Sequence, residues 1–285
     1  MRFLLIVGVL AIPLAWLSHP PVPPIRSDHL APVLPQRQFL QVLGAPFLQL
    51  VADYYWIETI QAVGKARSAE EYADPYYYAN LLTDLDPGFR TVYAFAGAAI
   101  PFNRGREHWV NTELSTRLLE KGHSAFPRDL TLNVLLAYNL SYFHSEYRRA
   151  ADLLTAASQL PRAPAYLPAL ATRLYAQSGS FDAGLALAES LRDGASDPET
   201  RAFFDRRIKE IELERQLSRV EEAWRRFNQR TGRAASLDEL VASGDLQEIP
   251  SDPLGGQIMI DKKGRASSSS QQRRLEIYRA LAEGS

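Results

Sequence analysis

The chain has 285 residues, 46% of them hydrophobic and 23% charged, a balance that excludes wholesale disorder and allows one extended domain or two compact ones. Its 32 Lys and Arg stand against 33 Asp and Glu, a net charge of −1, so no long-range positive field gathers polyanions and no nucleic-acid partner is expected. The absence of cysteine excludes disulfides, thiolate metal sites, a cysteine nucleophile and a lipid-modified cysteine.

In chain order, Met1 and Arg2 precede an apolar run from Phe3 to Leu17, broken only by Pro13. This is the charged and apolar pattern of an export signal. The flank Ala15-Trp16-Leu17-Ser18-His19-Pro20 puts large residues where signal cleavage needs small ones. Residues 1–18 are therefore expected to stay as a membrane anchor through residues 3–17, with Trp16 at the interface and everything after it on the periplasmic side of a bacterial inner membrane. The run is shorter than the ~20 residues that span a bilayer comfortably, which leaves cleavage and release to the periplasm as the alternative. Residues 19–35 hold prolines at 20, 21, 23, 24, 32 and 35, the composition of a stiff extended spacer.

From Gln36 to Ala66, Leu40, Leu43, Phe47, Leu50, Tyr54, Ile57 and Val63 recur mostly at three- and four-residue steps. That spacing predicts an amphipathic helix, kinked at Pro46, with this stripe facing the core. Four boundary phrases follow, ending in Pro87, Pro127, Pro161 and Pro198, at spacings of 40, 34 and 37 residues. Each interval carries two amphipathic helical patterns and a short polar break. A period near 34 with paired helices predicts an all-α helix-turn-helix solenoid over residues 36–198.

The third interval reads Leu174-Tyr175-Ala176-Gln177-Ser178-Gly179, then Ser180-Phe181-Asp182-Ala183-Gly184, Leu187, Ala188 and Leu191; the second repeats the latter half as Glu146-Tyr147-Arg148-Arg149-Ala150, Leu154, Ala157 and Pro161. This pattern resembles the tetratricopeptide repeat. The resemblance implies packing roles for Tyr175, for Gly179 at the turn, and for Gly184, Ala188, Ala150 and Ala157 where helices touch. The first interval fits less well: Pro101 and Gly105 lengthen its break, and its second helix is expected from about Trp109 to Gly122. The resemblance also implies a concave groove lined by Leu135, Asn139, Tyr142, Tyr166, Arg173 and Gln177, suited to an extended peptide or a partner helix. Family members that clamp a C-terminal carboxylate do so with paired Lys and Asn; Leu135 stands where the Lys belongs.

Residues 199–231 read as one long charged helix with Phe203, Ile208, Ile211, Leu217, Val220, Trp224 and Phe227 as its apolar stripe, a cover for the last repeat. Residues 232–267 form a small module: a short helix opened by the cap residue Ser236, the turn phrase Pro250-Ser251-Asp252-Pro253, a strand at Gln257–Ile260 and a return strand at Arg265–Ser267. This phrase is similar to the tail hairpin of secretion-system pseudopilins, whose characteristic N-terminal helix this chain lacks. Asp252 fits a turn cap better than a cation ligand. Residues 268–285 read as a flexible link and a short terminal helix at 271–283.

Catalytic patterns are missing. No two of His19, His29, His108, His123 and His144 share a helix face, Asp84 and Asp86 fit turn chemistry before Pro87, and no phosphate loop or nucleophile elbow occurs. The expected function is a non-catalytic, membrane-tethered scaffold that binds a protein of the cell envelope, within a secretion, motility or surface-polymer assembly, without metal or cofactor. The alternative is an envelope enzyme, or its accessory subunit, that uses the repeats to hold substrate.

Overall fold

The computed structural model describes residues 29–43, 47–271 and 273–275. The expected membrane helix at residues 3–17, the spacer up to residue 28 and the terminal helix beyond residue 275 lie outside them. Among the described residues no helix is long and apolar enough to cross a membrane.

The chain is a succession of stacked helix pairs. Helix α1 (Arg37–Leu43) leads to α2 (Leu48–Lys65), and a 3-10 turn at Glu71–Ala73 opens α3 (Asp74–Leu85). Three further pairs follow: α4 (Arg90–Ala99) with α5 (Thr112–Ala125), α6 (Leu130–Tyr142) with α7 (Tyr147–Ser158), and α8 (Tyr166–Gln177) with α9 (Phe181–Asp193). From α2 onward each helix packs on the next up to α10 (Pro198–Thr231), and α2 touches α4, α3 touches α5, α4 touches α6 and α8 touches α10. Such sequential contacts are the geometry of a one-dimensional stack.

Local chemistry sets the breaks. Pro87, Pro127 and Pro161 follow α3, α5 and α7, and Pro198 occupies the first turn of α10, where a missing N–H costs nothing. Asp129 caps α6 by accepting from the Leu132 N–H at 3.0 Å, and Asp197 caps α10 by accepting from the Thr200 N–H at 2.7 Å. Within pairs, Ser145 (φ 58°) and Gly179 (φ 75°) are both left-handed and stand 34 residues apart at the same point of the turn. Gly184 follows the second of these turns: a Cβ there would lie 3.2 Å from the Tyr175 Cβ. Ala150, Ala157 and Ala188 are fully buried at the helix contacts. Tyr175 is buried too, and its hydroxyl donates to Asp152 Oδ1 at 2.6 Å.

The first complete pair departs from this scheme. Its break is a two-stranded antiparallel ribbon, β1 (Phe102–Asn103) and β2 (Trp109–Val110), so Trp109 belongs to a strand and not to the start of the expected helix. Arg106, Glu107 and Asn111 adopt positive φ around it. Small residues also serve this pair: Ser115 Oγ donates to the Gly97 carbonyl at 2.6 Å, and Gly122 lies flat against Tyr93.

The expected stripe of α1 and α2 is divided: Leu40 packs on the core, but most of the α2 stripe faces outward. Phe47, Leu50, Tyr54 and Ile57 are each more than half exposed, whereas Ala52, Tyr55 and Thr59 are buried against the stack. Small Ala52 and Thr59 let α2 approach α3 closely, and Thr59 satisfies its hydroxyl on the Tyr55 carbonyl at 2.7 Å. The described end of the spacer is also seated on the domain: Leu34 packs on the core and His29 Nε2 lies 2.9 Å from Asp74 Oδ1.

The long α10 serves two cores. Phe204 and Ile211 pack toward α9, with Phe204 taking the inward place expected of Phe203, which is 45% exposed. Leu217, Val220, Ala223 and Phe227 instead meet a small module of α11 (Leu237–Ala242) and the hairpin β3 (Ile258–Ile260) with β4 (Ala266–Ser268). Ser236 and Glu239 close a reciprocal capping box on α11. The return strand runs through Ser268, so the expected flexible link is ordered up to Ser270. Ser268 and Ser270 hydroxyls both donate to Asp252, which also accepts from the Leu254 and Gly256 N–H groups. Burial pushes the Asp252 carboxyl up, but these donors outweigh it and hold it below the usual carboxylate range. Asp252 is thus a saturated turn cap. Arg274 ties the chain back to α10 through Glu214 and Glu221, at 2.5 and 2.7 Å.

Candidate functional site

An apolar depression lies between α6, α7 and α8, a cavity of about 370 Å³. Helix α6 contributes Val134, Ala137, Tyr138, Ser141 and Tyr142; α7 contributes Leu154; α8 contributes Tyr166, Leu167 and Leu170. Helices α6 and α8 supply most of the lining. Ser141 spends its hydroxyl on its own helix, donating to the Ala137 carbonyl at 2.8 Å.

An aromatic cluster forms one rim. Tyr138 and Tyr142 stack with centroids 5.0 Å apart, Phe143 meets both edge-on, and Trp109 from the ribbon lies 5.5 Å from Phe143 and 6.3 Å from Tyr142. Such rings bring large contact area at little conformational cost. Burial, joined by the neighbouring Tyr142, pushes the Tyr138 hydroxyl above its ordinary value.

Of the expected groove residues, Tyr142 and Tyr166 line this cavity. Arg173 and Gln177 continue the Tyr166–Leu170 stripe along α8 at helical spacing, toward α10. There burial lowers the Arg207 guanidinium, Glu210 opposes the shift and the Arg173 charge adds to it. The cavity itself is lined by apolar and aromatic side chains. Two expectations need correction. Leu135 is half-buried and packs on the core. Asn139 is only 4% exposed, because its amide donates to Ser115 Oγ at 2.7 Å and Thr116 Oγ1 at 3.2 Å of α5. Asn139 belongs to a polar string that fixes α4, α5 and α6 in register, continued by His144 Nε2 at 2.8 Å from Thr116 Oγ1.

The lining residues that periodicity missed are Val134, Ala137, Tyr138, Ser141, Leu154, Leu167 and Leu170. One step along a helix turns a side chain by about 100°, so a register set one residue late selects Leu135 and Asn139 in place of Val134 and Tyr138.

The remaining sequence candidates are accounted for by structure. His123 Nδ1 meets Asn133 Oδ1 at 2.6 Å, Asp84 pairs with Lys121 at 2.6 Å, and Asp86 accepts from the Gly88 N–H at 2.9 Å. Among the described residues no three His, Asp or Glu side chains converge as a metal site would require. No protein-family model matches the chain, and no curated protein matches its sequence.

Proposed function

We propose that the chain is a membrane-tethered, non-catalytic adaptor of the tetratricopeptide type that captures a segment of a protein partner in the α6–α8 groove, on the periplasmic side of a bacterial inner membrane. The observation that carries this reading is the apolar cavity between first helices, rimmed by Tyr138, Tyr142, Phe143 and Trp109. Its volume suits one or two apolar side chains of a peptide or helix. The 34-residue recurrence of the left-handed turn and the close contact at Gly184 support the repeat assignment. The export-type N-terminus supports the tether, and a secretion, motility or surface-polymer assembly is the setting it suits.

Tyr138 and Tyr166 are 49% and 58% exposed, so removing both rings tests the groove without threatening the fold. Tyr138→Ala with Tyr166→Ala is expected to weaken capture of a partner from detergent-solubilised membranes at least tenfold, on the order of 2 kcal/mol for aromatic anchors. The thermal midpoint stays near that of the parent, and Glu189→Ala on exposed α9 leaves capture intact. Unchanged capture by the double variant would remove the groove from the account.

A further inference from the structure

Helices α1 and α2 show water the side that a soluble helix normally hides. Phe39 is 58% exposed, Val42 76%, Phe47 64%, Leu50 66%, Tyr54 55% and Ile57 51%. Steps of three, four and three residues from Phe47 to Ile57 place the last four on one face. From Gln38 through Ala52 no side chain is charged. The opposite end of the stack contrasts with this: the outward positions of α10 carry charges, such as Arg201, Asp205, Arg206 and Lys209.

The connection to the N-terminal apolar run is short. Residues 29–35 are held on the domain through Leu34 and the His29–Asp74 contact. Only residues 18–28 separate Leu17 from that seat, a reach of at most ~40 Å at full extension. Helix α2, with 18 residues, is ~27 Å long. The seat of residues 29–35 therefore stays within ~40 Å of whatever surface holds residues 3–17.

We propose that the exposed face of α1 and α2 lies in the interfacial layer of the lipid bilayer, making a second, in-plane membrane contact that holds the stack side-on. Apolar side chains with aromatic rings at the boundary suit that layer; residues 38–52 bring no charge into it, and the acids Asp53 and Glu58 flank the face beside Ile57 and Tyr54. The proposal rests on the tether reading.

The cysteine-free sequence allows single-cysteine labelling of the full chain. Leu50→Cys, Ile57→Cys, Glu189→Cys and Leu10→Cys each receive an environment-sensitive fluorophore in vesicles of phosphatidylethanolamine and phosphatidylglycerol. Lipid-borne quenchers are expected to quench the labels at 50 and 57 at least twofold, the label at 10 as strongly, and the label at 189 hardly at all. Quenching at 10 without quenching at 50 and 57 would overturn the proposal and leave the tether standing. No quenching at any of the three would overturn both. Efficient oxidation of Leu50→Cys to a disulfide-linked dimer, without lipid quenching, would overturn it in favour of a second copy of the chain.

Discussion

Gly264→Ala is expected to unfold the C-terminal module at a cost of about 2–5 kcal/mol, while the stack from α2 to α8 keeps its structure. Gly264 turns the hairpin at φ 79°, and a Cβ built there would lie 2.3 to 2.7 Å from three ring atoms of Trp224. A left-handed alanine costs part of that sum and the overlap supplies the rest. Trp224 cannot swing away freely, because its indole packs on the same core as Leu240, Leu246 and Ile258. Hydrogen exchange reads the outcome by region: amides from Ala235 to Ser268 lose protection, and those of α4 to α8 retain it. Uniform loss along the chain would show that α10 couples the two cores into one cooperative unit.

Gly122→Val acts at the other body and is expected to cost about 3–5 kcal/mol, at the upper end for overpacking. A Cβ at Gly122 would sit 2.8 Å from both Cβ and Cγ of Tyr93, which is completely buried. The atoms that clash belong to the root of the tyrosine side chain, so rotating the ring gives no relief. Tyr93 is further fixed by its hydroxyl, which donates to the Pro87 carbonyl at 3.2 Å, and by the Phe126 ring at 6.2 Å. Helices α4 and α5 must separate, and both pack on α6, the helix that carries half the groove. Denaturant titration checks the stability loss, and partner capture should fall with it. A parent-like midpoint would mean that α4 and α5 are not locked together at this glycine.

The pairing of helices was legible because prolines punctuate the chain at near-constant spacing and because Gly179, Gly184, Ala150 and Ala188 mark close approaches. Other features were hidden for physical reasons. Helix α6 is apolar nearly all round, burying Leu132, Leu136, Ala137 and Leu140, so periodicity gave no direction for its outward face. Asn139 looked like a groove residue because its polar partners Ser115 and Thr116 are more than twenty residues away in sequence. The ribbon at β1 and β2 turns on Gly105, Arg106 and Glu107, and the two charged side chains do not advertise a left-handed backbone. In the stripe on α1 and α2, Leu40 packs on the core, whereas Phe47, Leu50, Tyr54 and Ile57 are exposed. A sequence pattern says which residues share a face; whether core or another surface meets that face depends on which helix arrives with smaller side chains.

These features combine into one arrangement. The stack exposes an apolar edge at α1 and α2, a closed and charged far side at α10, and between them the aromatic groove on α6 and α8. In the proposed adaptor, the first edge fixes the domain on the bilayer and the groove faces the partner.

Photo-crosslinking in living cells tests the groove most directly. A benzophenone amino acid placed at Tyr138 is expected to trap one discrete protein adduct in the membrane fraction, while the same group at Glu189 traps none. Adducts of equal yield from both positions, or no adduct from Tyr138 with the protein folded and membrane-bound, would contradict capture of a partner in the α6–α8 groove.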